Sequence, residues 1–86
     1  KEIEDAVNGH PSVAESAVIG IKDDMLGERV VALVVLRSGT SLELNELKTH
    51  CLKTLPFVRV PRELRIVEGL PKTASGKIDR GAVKRL

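Results

Sequence analysis

A lysine near the carboxyl end of the chain is the residue whose type and surroundings are best suited to chemistry. Lys77 lies in the run Leu-Pro-Lys-Thr-Ala-Ser-Gly-Lys-Ile-Asp-Arg, residues 70–80. Pro71 stiffens the start of this run because its φ angle is fixed, and Gly76 gives the backbone access to positive φ beside the lysine. Short polar residues such as Ser75 favour local turns. The pattern predicts a lysine held out on a loop anchored at both sides, from which its ammonium group can reach an anion that this chain does not bind alone.

Two other interpretations of this loop arise from the residues alone. A lysine beside a glycine on a loop is most often a solvated surface residue. A phosphate-binding P-loop requires a glycine five positions before its Gly-Lys pair and Ser or Thr directly after it. Pro71 and Ile78 occupy those positions, and Gly69 is out of register. The loop is therefore not that of a P-loop nucleoside triphosphatase.

Charge is distributed unevenly along the 86 residues, which carry a net charge of +2. Residues 1–58 contain six Lys or Arg and nine Asp or Glu, a balance of −3, whereas residues 59–86 contain eight and three, a balance of +5. A basic carboxyl-terminal part raises the local concentration of anions near Lys77. The same asymmetry is also compatible with an ordinary solvated surface.

Composition argues against several other classes of function. The chain has no Trp or Tyr, and Phe57 is its single Phe, so nucleic-acid binding by base stacking lacks its aromatic platform. No apolar run approaches about 18 residues, so no membrane span is expected. Cys51 is the single Cys, which excludes an internal disulfide and is compatible with a reducing cytoplasm. His50 and Cys51 are adjacent on a predicted helix and point in different directions, so no metal site is expected.

Hydrophobic periodicity predicts the elements that position the lysine, within one small domain. The first half of the chain is predicted to form a helix over Lys1–Asn8, a strand over Val13–Ile21, a polar loop over Lys22–Gly27 and a buried strand over about Glu28–Arg37. Thr40 is predicted to open a second helix, with Glu43 completing a capping box. An extended crossing over Leu55–Pro61, a strand over Arg62–Val67 with Leu64 and Ile66 on one face, and a helix capped by Asp79 that runs to Leu86 are predicted to follow. The first two strands are expected to be antiparallel neighbours, because the loop between them is short. The predicted fold class is α+β, with a small three-stranded sheet covered by helices.

Residues 70–80 resemble the closing motif of the adenylate-forming enzymes, which include acyl- and aryl-CoA synthetases, the adenylation domains of nonribosomal peptide synthetases, and luciferases. That motif reads Leu-Pro-Lys/Arg-Thr-x-Ser/Thr-Gly-Lys-Ile/Val-x-Arg, and the chain matches it throughout. Further blocks match in the order and spacing of this superfamily: Glu2-Ile3-Glu4, His10-Pro11-Ser12-Val13, Ala17-Val18-Ile19-Gly20, Gly27-Glu28, Ala32-Leu33-Val34-Val35-Leu36, Glu46-Leu47 and Leu55-Pro56-x-x-x-Val60-Pro61. The chain departs from the superfamily at Val58, where Tyr is frequent, and at Arg59, where CoA synthetases often have Lys.

The resemblance implies that residues 1–86 are a single C-terminal lid domain, excised from an enzyme whose N-terminal ATP- and acid-binding domain and hinge are absent. It implies an AMP-forming acid–thiol ligase of fatty acid or aromatic acid metabolism, located in the cytoplasm. The full-length enzyme is expected to use ATP with Mg²⁺, a carboxylic acid and CoA. The domain alone is expected to bind none of these and to be inactive, with its own N-terminal domain as its partner.

The resemblance also implies roles for individual residues. Lys77 is the expected catalytic residue of the first half-reaction, in which a carboxylate attacks the α-phosphate of ATP. Ser75 and Gly76 are expected to shape the loop that carries it. Contacts to phosphate or to the other domain are expected from Arg59, Lys72 and Arg80; the alternatives are a solvent-facing Arg59 and an Arg80 that pairs back to the helix. The lid would then rotate, withdraw the lysine and present a different face to the thiol acceptor.

Two alternatives remain open from the sequence. The Ala-Val-Ile-Gly and Ala-Leu-Val-Val-Leu strands look most like those of bacterial acyl- or aryl-CoA synthetases, and a carrier-protein domain downstream would instead favour a nonribosomal peptide synthetase. A free-standing, non-catalytic interaction module with a basic face is the second alternative. The identity of the activated acid lies outside these residues.

Overall fold

The computed structural model describes residues 2–25 and 27–85 and confirms the α+β class with a three-stranded sheet. Its elements are helix α1 (Glu2–Asn8), strands β1 (Val13–Asp23) and β2 (Gly27–Leu36), helix α2 (Leu44–Cys51), a 3-10 turn (Phe57–Arg59), strand β3 (Glu63–Ile66) and helix α3 (Arg80–Val83). The predicted first helix, first loop and last helix also included Lys1, Leu26 and Leu86, which lie outside the described residues.

The sheet has the strand order β1–β2–β3, so β2 is its central strand. β1 and β2 are antiparallel, as predicted, and pair from Val13 opposite Leu36 to Asp23 opposite Gly27. β3 runs parallel to β2. Apolar clusters lie on both faces of β2, which explains why its apolar run is nearly continuous rather than alternating.

Alternate residues of β2 contribute to two apolar clusters, because successive side chains of a strand point to opposite faces. The first cluster joins the sheet to α1 and α2 and includes Val7, Ala32, Val34, Leu47 and Cys51. The second cluster joins the sheet to α3 and to the segment before Lys77, and includes Ala17, Val31, Leu33, Leu70 and Val83. The lysine segment therefore packs on the opposite face of the sheet from α1 and α2.

The β1–β2 hairpin is tighter than the sequence predicted. β1 extends to Asp23 and β2 begins at Gly27, so Lys22, Asp23 and Gly27 of the predicted loop over 22–27 belong to paired strands. Polar side chains there suggested a loop, but the exposed end of a hairpin accepts polar side chains equally well. Gly27 has φ of 78°, which glycine adopts without steric cost.

Helix α2 begins later than predicted, at Leu44 rather than at Thr40. A capping box is present, but its two members are Glu43 and Glu46 rather than Thr40 and Glu43. The Thr40 hydroxyl instead donates to the carbonyl oxygen of Arg37 at 2.7 Å and closes the preceding turn. Two overlapping segments fit the same capping pattern, so spacing alone did not identify the true helix start.

Three further elements differ from their predicted extents. The crossing over 55–61 is not extended throughout, because a 3-10 turn at Phe57–Arg59 lies between its two prolines. The third strand is limited to Glu63–Ile66, and Ile66 is 49% exposed rather than facing the core. It is the last residue of an edge strand, so no neighbouring strand covers its outer side. The last helix is limited to Arg80–Val83.

The two histidines contact backbone groups in the last turn of α1 and in the turn that follows it. His50 Nε2 lies 2.9 Å from the carbonyl oxygen of Ala6, in the last turn of α1, and His10 Nδ1 accepts a hydrogen bond from the backbone N–H of Ser12 at 3.0 Å. No group of three His, Cys, Asp or Glu side chains in 2–25 and 27–85 is placed to hold a metal ion. Over the same residues, no helix has the length and apolar character needed to span a bilayer.

Candidate functional site

Lys77 lies in a tight hairpin of residues 72–78, here called the lysine loop. Lys72 and Ile78 form an antiparallel bridge at its base, and the backbone N–H of Thr73 donates to the carbonyl oxygen of Lys77 at 2.7 Å. The N–H of Gly76 donates to the carbonyl oxygen of Thr73 at 2.9 Å, with Gly76 at φ 87°. The positive φ expected of Gly76 is thus observed, and glycine adopts it without steric cost.

Apolar anchors hold the base of the lysine loop against the sheet. Leu70 before the loop is 6% exposed, and Val83 after it is fully buried in the same cluster. Asp79 caps α3, as predicted, by accepting a hydrogen bond from the N–H of Ala82 at 3.1 Å. The N–H of Asp79 also donates to the carbonyl oxygen of Pro71 at 2.9 Å, which closes the base.

The Lys77 side chain is exposed, and within the described residues it takes part in no hydrogen bond or ion pair. Its backbone carbonyl, in contrast, is fixed by Thr73. Ser75, predicted to shape the loop, is exposed, and its hydroxyl lies 3.1 Å from that of Thr73. The hairpin thus combines a fixed main chain with a cationic head that is not neutralised by the domain itself.

Arg80 is held differently from Lys77, by a bidentate ion pair with Glu4 of α1. Its Nη2 donates to Glu4 Oε1 at 2.6 Å, and its Nη1 donates to Glu4 Oε2. The Arg80 hydrogen bond is the largest cause that lowers the pKa of Glu4, and the backbone N–H of Val18 lowers it further, against the opposing effect of burial. The same pair raises the pKa of Arg80. The guanidinium is therefore committed to a carboxylate within the domain.

The two other expected contact residues also have carboxylate partners inside the domain. Lys72 Nζ lies 3.3 Å from Glu15 Oε1, on β1, and Arg59 Nη1 lies 3.3 Å from Glu2 Oε1, on α1. All four side chains are substantially exposed, so each pair is weak and exchangeable. Contacts of Arg59, Lys72 and Arg80 with phosphate or another domain stay predictions.

The structure brings most of the predicted site residues together and leaves one apart. Lys72, Ser75, Gly76 and Lys77 lie in the lysine loop, and Arg80 lies directly after its closing contact. Arg59 instead belongs to the 3-10 turn and contacts the first turn of α1.

The sequence reasoning missed Glu4 and Glu15, which hold Arg80 and Lys72 from distant positions in the chain. No local spacing marks either residue. The signal that could have found them is the acidic balance of residues 1–58 set against the basic balance of residues 59–86, because opposite charges from two parts of a chain tend to pair in the fold.

A groove beside α1 is separate from the lysine loop. It has a volume of about 600 Å³ and is lined by Glu2, Asp5, Ala6, Thr54 and Leu55, none of which belongs to the loop. Lys77 is therefore not among the residues that line this groove.

Comparison with known proteins identifies relatives along almost the whole chain. Residues 2–77 match the family described as AMP-binding enzyme C-terminal domain. The chain is 43% identical over 84 residues to a probable 2-succinylbenzoate–CoA ligase of Mycobacterium tuberculosis, covering 96% of this chain and 22% of that protein. It is 44% identical over 84 residues to a mitochondrial malonate–CoA ligase of Homo sapiens, covering 98% and 15%.

A solved structure agrees with these relatives. The crystal structure of an acyl-CoA synthetase from Brucella canis matches with a TM-score of 0.89 and 39% identity, over 95% of this chain and 16% of that one. The chain spans less than a quarter of the length of each of these three proteins.

Proposed function

Because this chain belongs to the AMP-binding enzyme C-terminal domain family, we propose that residues 1–86 are the mobile lid domain of an ATP-dependent acyl- or aryl-CoA synthetase and that Lys77 is its adenylation lysine. The ATP- and acid-binding domain and the hinge precede it in the full-length enzyme. The two relatives described above are named as CoA ligases, which favours CoA over a carrier protein as the thiol acceptor. The cytoplasmic location stays a prediction, since one of these relatives is named mitochondrial.

The observation that carries the proposal is the contrast between Lys77 and the cations around it. Lys72 begins the lysine loop, Arg80 follows it, and both are paired with carboxylates of the domain. Lys77 alone of these three has no such partner within the described residues. A fixed hairpin that keeps one ammonium group unpaired suits a charge meant for an anion outside the domain.

The proposed chemistry needs a cation at this position. A carboxylate oxygen of the substrate attacks the α-phosphorus of ATP, the bond from that phosphorus to the pyrophosphate oxygen breaks, and an acyl-adenylate and pyrophosphate result. Two anions must approach one another, and Lys77 offsets their repulsion and stabilises the charge that develops in the transition state. Lysine suits this role as a compact point charge on a long stem. Magnesium enters with ATP.

Movement of the whole domain explains how the same enzyme proceeds to its second half-reaction. The lysine loop is fixed to the sheet at its base, so its cation moves with the domain as a rigid body. Rotation of the domain withdraws Lys77 and presents another face to CoA, in the manner of domains that close to complete a site.

The test is the Lys77→Ala substitution in the full-length enzyme, with each half-reaction measured separately. Acyl-adenylate formation is expected to fall by at least about 10²–10³-fold, the usual effect of removing one transition-state stabiliser. Thioester formation from supplied acyl-adenylate is expected to be largely retained. Lys84→Ala is the matched control, because Lys84 is an exposed lysine of the same basic part with no assigned role.

Equal losses in both half-reactions would refute the assignment of Lys77. A non-catalytic interaction module is distinguished by a second measurement, in which this domain is added in trans to the isolated N-terminal domain. Restored adenylation is expected only if the chain is a lid.

A further inference from the structure

We propose that Glu4 is a positioning residue for Lys77 and acts through Arg80; this inference rests on the proposed function of the lysine. Glu4 lies on α1, 76 residues before Arg80 in the chain, and no part of it reaches the lysine loop directly. Its effect on the loop therefore depends on the geometry of the ion pair.

Glu4 is a fixed acceptor rather than a flexible surface carboxylate. Its side chain is 13% exposed, and its Oε2 accepts a hydrogen bond from the backbone N–H of Val18 at 2.9 Å. Val18 belongs to β1, an edge strand whose outer N–H groups have no strand partner. The Glu4 carboxylate thus accepts a hydrogen bond from the Val18 N–H at the edge of the sheet, while both of its oxygens accept hydrogen bonds from the guanidinium of Arg80.

Arg80 transmits this fixation to the base of the lysine loop. It directly follows Asp79, whose N–H closes the base on Pro71 and whose carboxylate caps α3. A guanidinium held by two parallel bonds has a defined orientation as well as a defined position. The main chain at Arg80, three residues after Lys77, is therefore fixed relative to α1 and β1.

The apolar anchors alone do not supply this orientation. Burial of Leu70 and Val83 holds the base against the sheet, but apolar attraction is non-directional. The other ion pair of this region, between Lys72 and Glu15, joins two side chains that are 41% and 38% exposed. In the Glu4–Arg80 pair Arg80 is 52% exposed, but the carboxylate is only 13% exposed and is also fixed by the Val18 N–H, so the Lys72–Glu15 pair is the weaker one. The Glu4–Arg80 pair is the directional contact that sets the angle at which the hairpin leaves the sheet.

The experiment uses Glu4→Gln in the full-length enzyme. Glutamine has nearly the same shape and keeps an acceptor for the Val18 N–H, but loses the charge that holds Arg80. Amide hydrogen exchange in a peptide covering residues 72–80 is expected to become faster. Adenylation is expected to fall by about 5-fold, the factor that corresponds to the loss of one ion pair with an exposed partner, while thioester formation from supplied adenylate changes little.

Two comparisons separate this role from a general loss of stability. Asp5→Asn is the matched control: Asp5 is an exposed carboxylate of the same helix, without an ion pair among the described residues, and its substitution is expected to leave both readouts unchanged. The double variant Glu4→Gln with Arg80→Gln is expected to lose no more adenylation than the more damaging single variant, because both substitutions remove one interaction.

The inference is overturned if Glu4→Gln leaves exchange in 72–80 and adenylation at the level of Asp5→Asn, or if exchange rises without a change in adenylation. It is equally overturned if the two single losses add fully in the double variant. Failure of the proposed function has a different signature: Lys77→Ala, measured alongside, would then leave adenylation intact, whereas the exchange data would still decide whether Glu4 orders the loop.

Discussion

Replacing Gly76 by alanine tests whether the conformation of the lysine loop matters for the activity of Lys77. Gly76 has φ of 87°, and a Cβ atom built on it has no heavy atom within 4 Å beyond its chain neighbours. A methyl group therefore meets no steric obstacle from the rest of the domain, and the whole effect of the substitution comes from the backbone. Alanine in the left-handed region costs about 1–2 kcal/mol relative to its usual conformations.

Gly69 provides the control, because the chain offers a second glycine close to the same loop. A Cβ atom at Gly69 also has no heavy atom within 4 Å, but its φ lies outside the left-handed range. Gly69→Ala is expected to stabilise by up to about 1 kcal/mol, since it restricts the unfolded chain. Gly76→Ala gains the same stabilisation from the restricted unfolded chain but also acquires the strain of a left-handed alanine. The difference in stability between the two variants therefore isolates about 1–2 kcal/mol of strain.

The assay is hydrogen exchange of the 72–80 peptide in the full-length enzyme, combined with the adenylation rate. A difference of about 1–2 kcal/mol corresponds to roughly a 5- to 30-fold change in the population of the opened loop. Adenylation is expected to fall in Gly76→Ala by no more than that factor, because alanine leaves the lysine in place. The adenylation rate of Gly76→Asn is expected to lie between those of the wild type and Gly76→Ala, since asparagine tolerates left-handed φ better than alanine does.

Equal exchange and equal adenylation rates for the Gly76→Ala and Gly69→Ala variants would refute this reasoning. Such a result would mean that the left-handed turn is not retained in the active enzyme, and that the lysine works from a different loop conformation.

Two further expectations concern the stability of the domain. The pKa of Glu4 is lowered chiefly by Arg80 and further by the Val18 N–H. The ionised carboxylate therefore contributes about 1 kcal/mol to the free energy of unfolding, as expected for an ion pair with one exposed partner. This contribution is complete above the ordinary pKa of 4.5 and is lost as the pH falls through the lowered pKa. Urea unfolding should therefore give wild type and Glu4→Gln free energies of unfolding that converge as the medium becomes acidic; a gap that persists or widens in acid would contradict this sign. Val83→Ala removes two buried methyl groups from a fully buried side chain and is expected to cost about 2 kcal/mol, whereas Val58→Ala, at a side chain 75% exposed, should shift the urea midpoint little. Comparable losses in the two valine variants would mean that the second cluster does not anchor the lysine loop.

Elements whose signals are local could be predicted from the sequence. The nearly continuous apolar run of β2 indicated a central strand covered on both faces; the sheet order confirms its central place, and the apolar clusters on its two faces confirm the covering. The hairpin glycine Gly76 and the cap Asp79 each act within a few residues, so their types and spacing specify their conformations. These signals were sufficient to predict that Lys77 lies on a loop anchored at both sides.

Elements that depend on distant partners could not be predicted. The alternation of residues 62–67 is the same whether the strand runs parallel or antiparallel to its neighbour, so the direction of β3 had no sequence signal. The carboxylates that hold Arg80 and Lys72 lie 76 and 57 residues away along the chain. Only the fold brings them together, and a residue-by-residue reading left those cations available to phosphate or another domain.

The parallel pairing of β3 with β2 has a consequence for the order in which the domain folds. The β1–β2 hairpin is local and can form within about 1–10 μs, but a parallel strand must wait for the crossover that contains α2 to close. The ion pairs around the lysine loop span most of the chain, so they follow later still. During synthesis the first elements also emerge first. We therefore expect a newly made chain to acquire its sheet before it acquires an ordered lysine loop, so that competence for adenylation is the last property to appear.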